Sequence, residues 1–220
     1  MNTEEKIAVL TSGGMDSSIL LWDLAQESEG FPLYIEKGLT WEATELRFLS
    51  QFIEAVANPN VHSPTILPIP VKAIYGDHWS VNGLAIPDSQ TFDESVFLPG
   101  RNVLLLGLAA IWCYTNSVNK IAIGSLFANP FPDATPEFFE DYSDLLSKAL
   151  NFKIAITAPY RGQLKERLIY QFQHLPLQLT LTCISPKFGI HCGNCNKCNE
   201  RRLAFQSSGC EDVTTYFSPS

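Results

Sequence analysis

The sequence predicts an α/β fold of the Rossmann-like type, in which a parallel five-stranded sheet carries helices on both faces and a cysteine-rich tail follows. Short apolar runs alternate with segments of helical periodicity about five times, as in repeated strand–helix–strand units. A glycine-rich turn follows the first apolar run, and four cysteines cluster near the end of the chain. The chain has 220 residues, 45% of them hydrophobic, which suits an α/β domain over residues 1–178 with a segment, residues 179–220, packed on it.

Each element follows from its local pattern. The predicted strands are residues 7–10, 31–35, 66–69, 120–124 and 152–157, each a short apolar run. The predicted helices are residues 15–26, 40–56, 102–114, 136–150 and 163–174, with apolar positions at helical spacing and Thr40 as the N-cap of the second. Residues 71–98 show no clear period. Because a loop of this length is usually functional or mobile, it is either a lid over a site or a packed insertion.

The charge balance and the N-terminus restrict the function classes. The chain has 15 Lys and Arg against 23 Asp and Glu, a net charge of −8, which argues against direct binding of nucleic acid or anionic membranes. No apolar run approaches the length of a membrane-spanning helix. The N-terminal segment lacks the basic-then-apolar order of a signal peptide. We therefore expect a cytoplasmic protein.

The turn after the first strand carries the residue types that hold phosphate. Its glycines let backbone N–H groups approach an anion, the start of the next helix adds partial positive charge, and Asp16 would hold a magnesium ion that bridges phosphates. The predicted phosphate-binding residues are Leu10, Thr11, Ser12, Gly13, Gly14, Met15, Asp16, Ser17 and Ser18. Neither the P-loop nor the dinucleotide-binding pattern is present. The alternative is an ordinary strand-to-helix turn with Asp16 beside the helix dipole.

Four of the six cysteines fall in one short segment. Cys183, Cys192, Cys195 and Cys198 have the spacing C-x8-C-x2-C-x2-C, and their thiolates can hold one zinc ion tetrahedrally. With no export signal, metal binding is favoured over disulfides. Four protein ligands leave no open position, so this zinc would be structural. An iron–sulfur cluster or a redox pair is the alternative.

The segment SGGMDSS resembles the pyrophosphatase loop, SGG-x-DS, of synthetases that split ATP into AMP and pyrophosphate. Together with CISPKFGIHCGNCNKCNERRLAF, it makes the chain resemble the 7-cyano-7-deazaguanine synthases, the QueC or ExsB family, over nearly its whole length. Further matching residues are Pro99, Arg101, Asn102, Pro132, Asp133, Pro136, Glu137, Phe138, Lys165, Arg201, Ala204 and Phe205. The resemblance implies a fold of the adenine nucleotide α-hydrolase type, with ATP bound by residues 1–178 and zinc by residues 179–220.

The resemblance implies an ATP-dependent carbon–nitrogen ligase. In the family, 7-carboxy-7-deazaguanine is adenylated with release of pyrophosphate, and ammonia then gives an amide that a second ATP converts into the nitrile of queuosine-type pathways. The implied cofactors are ATP, Mg²⁺ bound with ATP, and one structural Zn²⁺ per chain. The catalytic candidates are Asp16, Arg101 and Lys165, because preorganised cations stabilise charge on the α-phosphate. The candidates for substrate binding are Arg101, Asn102, Asp133 and Glu137.

Two loops depart from the family pattern. Residues 124–139, GSLFANPFPDATPEFF, lack the family's Asp-Tyr pair and have Ala134-Thr135 where Cys-Arg is usual. Residues 34–45, YIEKGLTWEATE, lack the pattern Y-G-Q-R-H, and Glu42 or Glu45 matches the family's following Glu only loosely. Both loops lie where the deazaguanine is expected. The runner-up is therefore a paralogue that passes the adenylated carboxylate to another amine, for example on a protein, or stops at the amide.

Two other function classes fit the sequence less well. A tRNA-modifying synthetase with the same loop is disfavoured by the negative net charge. A non-catalytic zinc protein that keeps ATP as a structural ligand is disfavoured by the intact Gly13, Gly14, Asp16 and Ser17. The expected partners are a small-molecule carboxylate and ATP, a protein acceptor for the runner-up, and a second copy of the chain, because the family is often dimeric.

Overall fold

The computed structural model describes residues 5–127 and 129–218, without the side chains of residues 93 and 94. The first four residues of the predicted N-terminal domain, residue 128 in the departing loop, and the last two residues of the tail lie outside the described residues. Five strands form one parallel sheet: β1 (Glu5–Leu10), β2 (Ser28–Glu36), β3 (Thr65–Pro68), β4 (Lys120–Ile123) and β5 (Ala155–Thr157). Their order is β3-β2-β1-β4-β5, which confirms the predicted fold class.

Helices cover both faces of this sheet. They are α1 (Met15–Leu24), α2 (Glu42–Val56), α3 (Lys72–Tyr75), α4 (Trp79–Asn82), α5 (Arg101–Thr115), α6 (Pro136–Leu150), α7 (Lys165–Gln171) and α8 (Asn196–Ser208). Side chains alternate along β1. Ile7 and Val9 therefore pack in a core with α1, α2, α7 and α8, and Ala8 and Leu10 pack in a core with α5 and α6.

The order of the strands reverses beside β1. Leu10 at its carboxyl end is in register with Leu33 of β2 and with Ile123 of β4, so the chain runs outward in both directions from this point. In open parallel sheets, ligands bind in the crevice beyond the carboxyl ends of the strands at such a reversal. The sheet therefore places the loops after β1, β2 and β4 around one site.

Three local predictions differ from the structure. The second helix begins at Glu42 with Trp41 as N-cap, so the predicted cap by Thr40 is wrong; the Thr40 backbone N–H instead donates to Ser80 O at 3.1 Å. The fifth strand begins at Ala155 rather than residue 152. The tail contains helix α8, which was not predicted because its sequence is mostly polar.

Residues 71–98 form a packed insertion, with α3, α4 and the 3₁₀ turn Asp93–Val96 inside it. Val71 and Leu98 belong to the buried cluster that contains the four cysteines of the tail. The Trp79 ring stacks on Trp41 with 5.6 Å between ring centroids. The insertion and the tail thereby pack against the end of the sheet that holds the site. In the part of the chain that is described, no helix combines the length and apolar character needed to cross a membrane.

Candidate active site

The turn after β1 is shaped around Gly13. Gly13 has a φ of +69°, a conformation that favours glycine. A Cβ at this position would lie 2.5 Å from the backbone oxygen of Glu45. Helix α2 therefore leaves no space for any side chain larger than the hydrogen of glycine. On its other side, Gly13 O accepts a bond of 2.7 Å from the N–H of Leu181 in the tail. The turn is therefore fixed by two elements that are remote in sequence.

Serine hydroxyls hold the rest of the turn. Ser17 Oγ donates to Gly14 O at 3.2 Å and accepts the N–H of Ser12 at 3.2 Å. Gly14 is the N-cap of α1, so the positive end of the helix dipole faces the space above the turn. Of the nine predicted loop residues, Gly13 and Ser18 are outside the lining, and those that line this space are Leu10, Thr11, Ser12, Gly14, Met15, Asp16 and Ser17.

The space is a cavity of about 760 Å³. This volume lies within the usual range for ligand sites of ~300–1,000 Å³. Its walls come from the ends of β1, β2 and β4, the start of α5 and α7, the insertion and the tail. The position, volume and donors of this cavity fit a nucleotide whose phosphates rest on the turn.

A chain of charged side chains lines one side of the cavity. Lys165 Nζ lies 3.3 Å from Asp16 Oδ2 and also contacts the carboxylate of Glu200. The second oxygen of Glu200 accepts from Lys197 Nζ at 2.6 Å. Burial lowers the pKa of Lys165, but the carboxylates of Asp16 and Glu200 outweigh it and raise that pKa above its usual range. The ammonium form of Lys165 is therefore strongly favoured.

Asp16 has one oxygen without a partner. Its Oδ1 is buried and makes no hydrogen bond among the described residues. Burial raises the pKa of Asp16, opposed mainly by the positive charge of Lys165. Because a buried, unpartnered carboxylate oxygen is costly unless a cation or donor meets it, this atom fits an additional cation such as Mg²⁺.

The four candidates for substrate binding are not all brought together. Arg101 and Asn102 open α5 and line the cavity. Asp133 Oδ2 instead accepts the backbone N–H of Asn102 at 2.8 Å, and the side chain of Asn102 donates to Asp133 O at 2.8 Å. Glu137 is exposed in the first turn of α6. Neither Asp133 nor Glu137 lines the cavity among the described residues, so their binding roles stay predictions.

Arg161, in the turn after β5, holds the departing loop in place. Its guanidinium donates to three backbone oxygens at 3.0 Å or less, those of Leu126, Phe127 and Ala134. These bonds connect both ends of the loop to the β5 side of the sheet. Arg161 is outside the cavity lining, so the structure gives it a structural role.

A buried polar cluster after β2 escaped sequence reasoning. Lys37 is 6% exposed; its Nζ donates to Ile35 O at 2.7 Å and lies 3.1 Å from Glu42 Oε1. Glu45 is 9% exposed and accepts from Tyr34 Oη at 2.8 Å and from Trp41 Nε1 at 3.0 Å. Lys37, Trp41 and Glu45 line the cavity. The loose match of Glu42 or Glu45 to the family pattern was the only signal of this cluster in the sequence.

The four clustered cysteines meet in space, as predicted. The sulfur atoms of Cys183, Cys192, Cys195 and Cys198 all lie within 4.8 Å of one another, and all four residues are buried. The pairs Cys192–Cys198 and Cys183–Cys195 are each 3.9 Å apart, close to the edge of a tetrahedron with metal–sulfur bonds of ~2.3 Å. This donor set and spacing fit one Zn²⁺. The cysteines form a candidate metal centre behind the cavity.

Comparison with known proteins agrees with this geometry. The family model described as "Queuosine biosynthesis protein QueC" matches residues 6–209, almost the whole chain. The chain belongs to the QueC family. The 7-cyano-7-deazaguanine synthase 1 of Desulfitobacterium hafniense is 29% identical over 210 residues, which cover 92% of each protein. The 7-cyano-7-deazaguanine synthase of Methanopyrus kandleri is 28% identical, over 94% of this chain and 97% of that protein.

A solved structure supports the fold assignment. The predicted subunit of tRNA methyltransferase from Methanocaldococcus jannaschii superposes with a TM-score of 0.50 at 15% identity, covering 77% of this chain and 74% of that one. This likeness concerns the fold alone. Family membership and the named relatives support a synthase with a role in queuosine-type nitrile synthesis, and the cysteine cluster supports metal binding.

Proposed function

We propose that this protein is an ATP-dependent carbon–nitrogen ligase. It adenylates 7-carboxy-7-deazaguanine or a closely similar carboxylate with release of pyrophosphate, and ammonia then displaces AMP to give the amide. A second ATP adenylates the amide oxygen, again with release of pyrophosphate, and loss of AMP leaves the nitrile. The observation that carries the proposal is the meeting of the SGG-x-DS turn, Asp16, Lys165 and Arg101 around one cavity at the carboxyl end of β1.

The residues divide the chemistry among them. The N–H groups of the turn and the hydroxyl of Ser12 bind the leaving pyrophosphate, because the start of α1 concentrates donors there. Lys165 and Arg101 stabilise the charge that grows on the α-phosphate. Asp16 would hold Mg²⁺, which neutralises phosphate charge. No side-chain nucleophile is required, because the substrate carboxylate itself attacks phosphorus.

Closure of the site protects the product of the first step. An acyl adenylate is an activated ester that water would hydrolyse. The insertion lines the cavity through Trp79, Thr91, Phe92 and Leu98, so it forms the wall that separates the intermediate from solvent. The cysteine cluster holds the tail, which supplies Glu200 and Lys197 to the same cavity.

The first experiment measures pyrophosphate release from ATP across a set of carboxylates, with 7-carboxy-7-deazaguanine among them. We expect release with that compound and, after addition of ammonia, a product with the mass of the nitrile. Release with a different carboxylate only would overturn the assigned substrate. Hydrolysis of ATP to ADP and phosphate would overturn the adenylation chemistry.

A second candidate function has the same adenylation step but a different fate for the activated acyl group. The loop after β2, which departs from the family pattern, lines the cavity through Lys37, Trp41 and Glu45. This observation favours either a different acyl acceptor, such as an amine on a protein, or a reaction with ammonia that stops at the amide. Mass spectrometry separates these outcomes, because each leaves a product of a different mass.

A further inference from the structure

Lys37 is a cation that the adenylation chemistry leaves without a role. It lies at the end of β2, in the cavity wall, and is almost fully buried. Two of its three N–H bonds are engaged by Ile35 O and Glu42 Oε1. The Tyr34 ring lies at 5.6 Å from Nζ. Among the described residues, the third N–H of the ammonium therefore has no oxygen partner, although burying an ammonium is costly unless its donors are met.

Arg101 brings a second cation to the same end of the cavity. Its side chain lines the cavity, and among the residues that the structure describes no hydrogen bond or ion pair engages the guanidinium. Burial, together with the nearby positive charge of Arg101, lowers the pKa of Lys37. Two cations that repel each other across a cavity create a place where an anion is bound favourably.

Two carboxylates, Glu42 and Glu45, lie near Lys37. The carboxylate of Glu42 accepts three backbone N–H bonds, from Lys37, Gly38 and Leu39, at 2.7–3.0 Å, and it is not part of the cavity lining. Glu45 does line the cavity, but it already accepts from Tyr34 and Trp41, and burial raises its pKa. Glu42 pairs with Lys37 from outside the cavity lining, so the guanidinium of Arg101, with the remaining N–H of Lys37, is what a further anionic group in the cavity would meet.

We propose that Lys37 and Arg101 form an anion subsite that binds the carboxylate of the substrate before it attacks ATP. The subsite differs from the turn after β1, whose N–H groups and Ser12 would bind the pyrophosphate; Arg101 would contact both the carboxylate and the α-phosphate that the carboxylate attacks. Trp41, which also lines the cavity, is the candidate to contact a planar heterocycle attached to the carboxylate. The inference rests on the proposed function, since it names the group that the ligase binds first.

The test measures binding without chemistry, by quenching of tryptophan fluorescence on titration. The ligands are 7-carboxy-7-deazaguanine and 7-deazaguanine, which lacks the carboxylate. We expect the wild-type protein to bind the carboxylate at least about 10-fold more tightly, since a buried charge pair contributes this much or more. The variant Lys37→Met should lose most of that preference, and Lys37→Arg should keep part of it.

Two controls separate a binding effect from misfolding. Lys72→Met removes an exposed lysine of α3 that is outside the cavity lining, and it should behave like the wild type. Binding of ATP to Lys37→Met should be unchanged, because Glu42 keeps its three backbone donors when Lys37 is removed.

The outcomes distinguish the subsite from the proposed function. Equal binding of the two ligands by the wild-type protein overturns the subsite, and so does an unchanged preference in Lys37→Met, even if pyrophosphate release is normal. No binding of 7-carboxy-7-deazaguanine by the wild type, together with no pyrophosphate release, overturns the proposed substrate and the subsite with it. The comparison of the two ligands in the wild type tests the subsite whether or not the variants fold.

Discussion

Lys165 Nζ lies 3.3 Å from Asp16 Oδ2 and contacts the Glu200 carboxylate on its other side. Asp16 lies in the first turn of α1, directly after the glycine turn, whereas Glu200 belongs to α8, the helix that also carries Cys198. One lysine is thus shared between the turn and the cysteine-rich tail. Because the ammonium of Lys165 is shared with Glu200, it engages only Oδ2 of Asp16, and Oδ1 stays available for a cation. The candidate metal centre and the cavity are therefore structurally connected through the side chains of Lys165 and Glu200.

The variant Asp16→Asn tests the role of the turn. It removes the charge that would hold Mg²⁺, and we expect pyrophosphate release to fall by about 100-fold or more, as when a preorganised electrostatic group is lost. Stability should change little. Burial raises the pKa of Asp16 in the folded state, which means that folding disfavours its ionised form. The neutral amide of asparagine removes that cost. Lys165 still has Glu200 as an ion-pair partner. Activity close to the wild type would contradict the magnesium role.

The variant Glu200→Gln tests the shared lysine. Burial alone would raise the pKa of Glu200, but Lys165 and Lys197 lower it to about 2, so it is ionised at neutral pH. Without this charge, Lys165 pairs with Asp16 alone and competes with Mg²⁺. We expect the Mg²⁺ concentration for half-maximal rate to rise about 10-fold or more, a typical effect of an outer-shell change. Glu211→Gln, at an exposed position of the tail, is the control. An equal Mg²⁺ dependence in both variants would refute the competition.

The sequence predicted the sheet and the cysteine cluster because both depend on local patterns. Strands follow from short apolar runs, and the cysteines are close in the chain before they meet in space. The contacts of Lys165 with Asp16 and Glu200 could not be predicted, since three different helices must pack before these side chains meet. Helix α8 was missed for a related reason: its central Arg201 is fully buried and donates to Leu177 O, Thr180 Oγ1 and Thr214 Oγ1. Only the tertiary structure supplies those acceptors.

The variant Gly13→Ala tests the shape of the turn. Its φ of +69° and the 2.5 Å approach of a Cβ to Glu45 O require α2 or the turn to move. We expect a loss of about 1–3 kcal/mol in the free energy of unfolding, the usual cost of a strained residue, measured by denaturant titration, together with weaker ATP binding. Gly162→Ala is the matched control, because a Cβ there meets no atom within 4 Å. Equal stability of the two variants would show that the turn adapts without cost.

Removal of the metal tests whether the tail depends on it. The four cysteine sulfurs fit one tetrahedral ion, so metal analysis should find about one zinc per chain, as structural sites of this kind hold. Cys198→Ser removes a ligand on the helix that carries Glu200, and we expect loss of zinc and a fall in melting temperature on the order of 10 °C, the effect of a few kcal/mol in a chain of this size. Pyrophosphate release should fall as well, because α8 no longer holds Glu200 against Lys165. Cys210→Ser, outside the cluster, should keep both zinc and activity. A well-folded Cys198→Ser protein with normal pyrophosphate release would show that the nucleotide site does not need the metal centre.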